Sequence, residues 1–148
     1  MNIHFVGGGN MAQAIIGGLL AKGHDAASIT VTEPLAPTRQ RLEHEFKLKT
    51  FDSGLGSTFA PALIVLAVKP QQMREVALAL APQLAKLASK PVMLSIAAGI
   101  RLQDLQRWLC GHAQLARCMP NTPALIGAGI SAVYADRKST RLNSSHVK

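Results

Sequence analysis

A chain of 148 residues, 48% apolar and 16% charged, is sized for one globular domain that buries roughly 70% of its unfolded surface. Gly, Pro, Lys or Gln interrupts every apolar run well short of the ~18 residues of a membrane span. The net charge of +8 points toward nucleic acid only on first count: Arg137, Lys138, Arg141 and Lys148 crowd the last twelve residues, and residues 1–136 carry twelve basic groups against eight acidic ones.

No basic stripe interleaved with aromatics runs through that body, so nucleic acid is not an expected partner. The opening MNIHFVGGGNMAQ has no basic leader and breaks into glycines early, unlike a signal peptide. Cys110 and Cys118 lack CxxC spacing and the His or Cys company that zinc requires. They are expected to be reduced, mostly buried thiols in a cytoplasmic protein without a metal site.

The predicted elements alternate. Ile3–Val6 is a short apolar run entering glycines, as a buried parallel strand does. Apolar residues Met11, Ala14, Ile15, Leu19 and Leu20 recur at helical spacing over 11–22, and Gly23 is a stop signal. SITVT (28–32) reads as a strand, PTRQRLEHEF (37–46) as a helix opened by proline, and Lys49–Thr50 as a short strand. LIVLA (63–67) is a fully buried strand. Met73, Val76, Ala77 and Leu80 mark a helix, with Pro82 expected to start a new turn toward Leu84 and Leu87. VMLS (92–95) is a strand, and RLQDLQRWL (101–109) a helix with Leu102, Leu105, Trp108 and Leu109 inward. QLARC (114–118) and ISAVYA (130–135) complete the pattern as strands.

Strand followed by crossover helix requires a mostly parallel sheet, so the fold class is α/β, doubly wound and Rossmann-like, in a single domain spanning residues 1–136. RKSTRLNSSHVK (137–148) changes composition abruptly and has no apolar period. It is expected to be a disordered, non-native tail.

FVGGGNMA sets Gly7, Gly9 and Ala12 in a G-x-G-x-x-A pattern between the first strand and first helix. The first glycine permits a tight turn, the second lets backbone approach a diphosphate, and the alanine lets helix and strand pack closely. Helix-start amides and the positive dipole end would then face phosphate. Glu33 stands at the end of the second strand, where a carboxylate accepts from a ribose 2′-hydroxyl, while Arg39 and Arg41 follow within reach of a 2′-phosphate. A solvated turn residue before Pro34 is the other reading of Glu33. Ala67-Val68-Lys69-Pro70 ends the fourth strand where ligands of open α/β sheets bind, with Lys69 placed to meet ribose or phosphate. SIAAGI (95–100) ends the fifth in small residues with room for a flat ring. His4 is read as a packed side chain, and His24 and His44 as solvated. Ser95, Asp104 and His112 form no nucleophile elbow.

FVGGGNMA, LAVKP, SIAAGI and RCMPNTPALIGAG, in this order and at comparable spacing, resemble pyrroline-5-carboxylate reductase over residues 1–135. The resemblance implies reduction of a cyclic imine carboxylate to proline with NADPH or NADH. By position it implies that Val6, Gly7, Gly8, Gly9, Asn10 and Met11 form the diphosphate loop. Ala67, Val68, Lys69 and Pro70 would lie on the nicotinamide side, and Ser53 at the adenosine end. Ala97, Gly99, Asn121 and Thr122 would wall the nicotinamide and substrate pocket, the prolines of Pro120-Asn121-Thr122-Pro123 stiffening it. The family continues into a helical domain that dimerises and completes the active site. The expectation is therefore that this stretch binds dinucleotide without turning over, and that its parent is a homo-oligomer through the second domain. No catalytic side chain is assigned within it. The alternatives are another Rossmann reductase or dehydrogenase, such as the β-hydroxyacid or deazaflavin-dependent NADP reductases, against which MPNTPA argues, and a non-enzymatic dinucleotide-binding module.

Overall fold

The computed structural model describes residues 1–56, 60–112, 114–118 and 122–138. Six strands, β1 (Ile3–Val6), β2 (Ile29–Thr32), β3 (Lys49–Phe51), β4 (Leu63–Leu66), β5 (Val92–Ser95) and β6 (Leu115–Arg117), form one sheet in the order β3-β2-β1-β4-β5-β6, with every pairing parallel. Helices α1 (Asn10–Ala21), α2 (Ala36–Phe46), α3 (Pro70–Ala85) and α4 (Leu102–Trp108) join them, and α5 (Pro123–Lys138) follows β6. This is the doubly wound, Rossmann-like order with its reversal between β1 and β4.

Alternation within the strands builds two cores. Ile3, Phe5, Ile29, Val31, Leu63, Val65, Val92 and Leu94 point to one face, where Ala12, Ile15, Ile16 and Leu19 of α1, Leu42 of α2, and Ile126 and Ile130 of α5 cover them. Ile64, Leu66, Met93 and Leu115 point to the other, against Met73, Ala77, Leu80 and Leu84 of α3 and Leu105 and Leu109. Leu102 and Trp108 are partly buried on the same side, as the spacing of α4 implied. Both faces are covered, so the central strand β4, LIVL, reads as an unbroken apolar run.

Two elements depart from the sequence expectation. ISAVYA is not a strand: residues 123–138 form α5. Pro123 takes the first helical position, and the Thr122 carbonyl and hydroxyl accept from the Ile126 and Leu125 amides at 3.0 and 3.4 Å. Ile126 and Ile130, four residues apart, are both fully buried. Helical spacing of that pair outweighs the local β-propensity of the segment. The helix reaches Lys138, two residues past the boundary expected at 136, and residues 139–148 lie outside the described residues. Nor does Pro82 begin a new turn, since α3 runs through it. Pro82 is exposed, so water can serve the Leu78 carbonyl that its ring leaves without a donor.

The exit of α3 is held by Lys90, whose Nζ donates to the carbonyls of Leu84, Ala85 and Leu87 at 2.9, 3.2 and 3.2 Å. A cation on three helix-end carbonyls satisfies acceptors and complements the dipole. Lys90→Met keeps the aliphatic stem, and thermal unfolding is expected to show a loss of about 1 kcal/mol.

Among the cysteines, Cys118 is buried and burial pushes its thiol pKa up, whereas Cys110 is exposed, against expectation. Cys110 follows the helical turn of α4 at φ 56, and its N–H caps the Arg107 carbonyl at 3.2 Å, which holds it at the rim. Among the described residues no three His, Cys, Asp or Glu side chains are grouped to hold a metal, and no helix is long and apolar enough to cross a membrane.

Candidate dinucleotide site

All six strands end at one level. The registers Thr32↔Phe51, Val6↔Thr32, Val6↔Leu66, Leu66↔Ser95 and Ser95↔Arg117 align their last residues in a row. The loops after β1 and β4 therefore flank the reversal point side by side, where an open α/β sheet takes its ligands.

The loop after β1 is built tightly. The Gly7 amide donates to the Thr32 carbonyl at 2.8 Å, and Ala67 N–H donates to the Val6 carbonyl at 2.8 Å. Gly7 has φ +101, and a Cβ there would lie 2.6 Å from the Ala67 carbonyl oxygen. Its two neighbours are thus fixed backbone, which is why only glycine fits. At Gly8 a Cβ would meet Leu42 Cδ1 at 2.7 Å. Gly9 is different: nothing lies within 4 Å of a Cβ built on it. Gly9 is the N-cap of α1, makes no side-chain cap, and no acidic residue occupies the first turn. The first-turn amides of Asn10, Met11 and Ala12 have no carbonyl partner within the helix. Open space over unpaired donors at a positive dipole end fits an anionic diphosphate.

Glu33 closes the adjacent corner from beneath. It is 8% exposed, and its Oε1 and Oε2 accept from the Gly8 and Leu35 amides, each at 3.0 Å. The carboxylate is thus a strut between the glycine loop and the start of α2 rather than a solvated turn residue. Arg39 Nη1 donates to the Glu33 and Pro34 carbonyls at 2.7 and 2.9 Å, so its guanidinium is tied to the same corner. Arg41 instead makes an exposed pair with Glu45 at 3.6 Å.

A buried polar stripe that the sequence reading missed lies under the loop following β3. His4, 1% exposed, makes contacts of 2.6 Å from Nδ1 to Thr30 Oγ1 and 2.7 Å from Nε2 to Thr32 Oγ1. Thr32 Oγ1 donates onward to the Gly54 carbonyl, so it must accept from His4 Nε2–H, leaving Nδ1 to accept from Thr30. That assigns the neutral Nε2–H tautomer. Desolvation lowers the His4 pKa from 6.5 to about 4. Gln83 Oε1 of α3 accepts from Leu55 N–H at 2.9 Å, so the loop beside Ser53 is pinned from two elements. Ser53 itself is exposed, its Oγ 3.3 Å from Asp52 Oδ1. Only part of the signal was local: Thr30 and Thr32 alternate with apolar residues in ITVT, whereas the pairing that sets His4 opposite Thr30 comes from the sheet register.

On the other flank, Ala67 and Val68 are half-buried, and Lys69 is exposed as the N-cap of α3, with Pro70 as its first residue. Ala97 is half-buried, with its amide 3.4 Å from Ser95 Oγ, and Gly99 is exposed at φ +79. Thr122 caps α5. Asn121 and Pro120 lie outside the described residues. The loops carrying Val6–Met11, Glu33, Ser53, Ala67–Pro70, Ala97 and Gly99 all leave the same edge of the sheet. His24 is half-buried, its pKa lowered chiefly by desolvation, and His44 is exposed.

Comparison with known proteins agrees with this geometry. Residues 2–99 match the family described as NADP oxidoreductase, coenzyme F420-dependent. A pyrroline-5-carboxylate reductase of Pseudomonas aeruginosa is 42% identical over 134 residues, which is 90% of this chain and 48% of that protein. One of Haemophilus influenzae is 39% identical over 138 residues, 93% of this chain and 49% of that protein. The solved structure of a pyrroline-5-carboxylate reductase from Coxiella burnetii superposes with a TM-score of 0.75 at 32% identity, covering 86% of this chain and 46% of that one. The chain thus spans about half the length of the curated relatives it matches. With the fold, the glycine turn and the family match over residues 2–99 in agreement, the chain belongs to the NADP oxidoreductase, coenzyme F420-dependent, family.

Proposed function

We propose that this chain is the dinucleotide-binding part of an enzyme that reduces 1-pyrroline-5-carboxylate to proline by hydride transfer from NADPH or NADH. The observation that carries the reading is the Gly7–Gly9 turn, locked against Ala67 and open above the start of α1. In the reaction the hydride and its electron pair add to the imine carbon, the ring nitrogen takes a proton, and the cofactor leaves oxidised. Such a transfer asks chiefly for donor and acceptor carbons held close and water excluded.

In this assignment the loop Val6–Met11 holds the diphosphate, through the amides of Gly9, Asn10 and Met11 that the Gly7–Thr32 and Gly8–Glu33 bonds leave unused, and the Ser53 loop meets the adenosine end. The spare lone pairs of Glu33 accept from the adenosine ribose. Ala67–Pro70 flank the nicotinamide, with Lys69 at ribose or phosphate, and Ala97, Gly99, Asn121 and Thr122 wall the pocket in which ring and imine meet. The substrate carboxylate and the completion of the active site belong to the remaining length of the parent, through which it assembles as a homo-oligomer in the cytoplasm.

Titration with NADPH and NADH tests the first part: the chain should bind dinucleotide and, alone, form no proline. A hydride-transfer assay on the full-length parent tests the second. Oxidation of NADPH or NADH with pyrroline-5-carboxylate, and no interconversion with 2-hydroxy acids, is the expected result; the reverse preference would sink the substrate assignment.

A further inference from the structure

The geometry points to Gln13 as a positioning residue for the cofactor diphosphate, a role that rests on the dinucleotide reading above. Gln13 grips two successive carbonyls of the glycine turn. Its backbone N–H donates to the Gly9 carbonyl at 2.9 Å, the first hydrogen bond of α1, and its side-chain Nε2 donates to the Gly8 carbonyl at 2.9 Å. A trans peptide is planar, with C=O and N–H opposed. Fixing the Gly9 carbonyl toward Gln13 therefore turns the Asn10 N–H out of the helix end. Fixing the Gly8 carbonyl toward the same residue turns the Gly9 N–H away from Gln13 as well. Both amides are thus turned out of the helix ladder, and because Gly9 itself is extended (φ −75, ψ −167) they diverge, each offered to a different oxygen of a diphosphate.

The turn needs this help. Nothing packs within 4 Å of a Cβ position at Gly9, and glycine peptides reorient readily. Glu33 fixes the preceding plane by accepting from the Gly8 N–H at 3.0 Å, but it does not reach the plane between Gly8 and Gly9. Only the Gln13 amide holds that plane by a side chain among the described residues. Gln13 need not touch the ligand: it acts through the peptide it orients.

The test compares Gln13→Met, which keeps length and helix propensity but loses the donor, with Gln13→Lys, which keeps a donor. Both are measured at high salt, where the added lysine charge is screened. Gln13 is half-buried on the second turn of α1, so both variants should fold, with melting points within about 3 °C of the parent chain. Loss of one hydrogen bond to an aimed amide should weaken NADPH about tenfold in Gln13→Met, leaving Gln13→Lys near the parent value. Affinity for adenosine, which has no phosphate, should not change, whereas general damage to the fold would lower both. If the unaltered chain takes up no NADPH, the dinucleotide reading falls and this inference with it. If the unaltered chain binds and Gln13→Met stays within about twofold of it, or if Met and Lys variants weaken alike, the positioning role alone is overturned.

Discussion

Gly7→Ala is expected to cost the fold about 2–4 kcal/mol and to abolish dinucleotide uptake, the strain coming from two sources at once. An alanine must adopt φ +101, and its Cβ must sit 2.6 Å from the Ala67 carbonyl oxygen and 2.9 Å from the carbonyl carbon. Neither neighbour can withdraw, because Ala67 N–H is bonded to Val6 and Gly7 N–H to Thr32. Gly9→Ala supplies the contrast. It meets nothing within 4 Å and has no positive φ, so the domain should fold normally while the new methyl occupies the approach of the diphosphate. Denaturation curves and NADPH titration on the two variants separate the effects. Were Gly7→Ala as stable as Gly9→Ala, the contact between the β1 and β4 loops would not be what holds the turn.

Acid should destabilise the domain through His4. The side chain is buried and neutral, with a folded pKa of about 4 against 6.5 when unfolded. Between those values the unfolded chain binds the extra proton, so stability falls as pH drops through that window and levels off below it. A shift of this size corresponds to about 3 kcal/mol. Protonation also takes away the lone pair by which Nδ1 accepts from Thr30. His4→Gln keeps a donor and an acceptor for the two threonines without the titration, and its stability should be flatter by about that amount between pH 6.5 and 4. Urea denaturation at pH 7, 5 and 4 reads the difference directly. Parallel curves for the two proteins would remove His4 as the cause.

How far the primary structure foretold this molecule depends on the range of the interaction involved. IHFV, LIVL and VMLS announced buried strands because both faces of the sheet are covered, and G-x-G-x-x-A announced the first turn because its requirements are local. The final helix was hidden: the residues of ISAVYA favour a strand on their own, and only the burial of Ile126 and Ile130 on the first core makes helical spacing win. Glu33 was visible as a site residue, but its bonds to Gly8 and Leu35 depend on how the turn folds back over the end of β2. The His4 stripe required knowing that β1 and β2 pair with His4 opposite Thr30, a long-range fact no local pattern contains. Cys110 defied its hydrophobic class because it serves as a helix-end turn residue.

The level row formed by Phe51, Thr32, Val6, Leu66, Ser95 and Arg117 constrains how such a domain can diverge. One residue inserted into a strand would exchange its two faces, sending apolar groups to the wrong core, and two would lift the following loop by about 6.6 Å. Strand length is therefore quantised and effectively frozen. Descendants of this scaffold can explore new ligands only by rewriting the segments beyond that row, where added or lost residues leave both cores untouched.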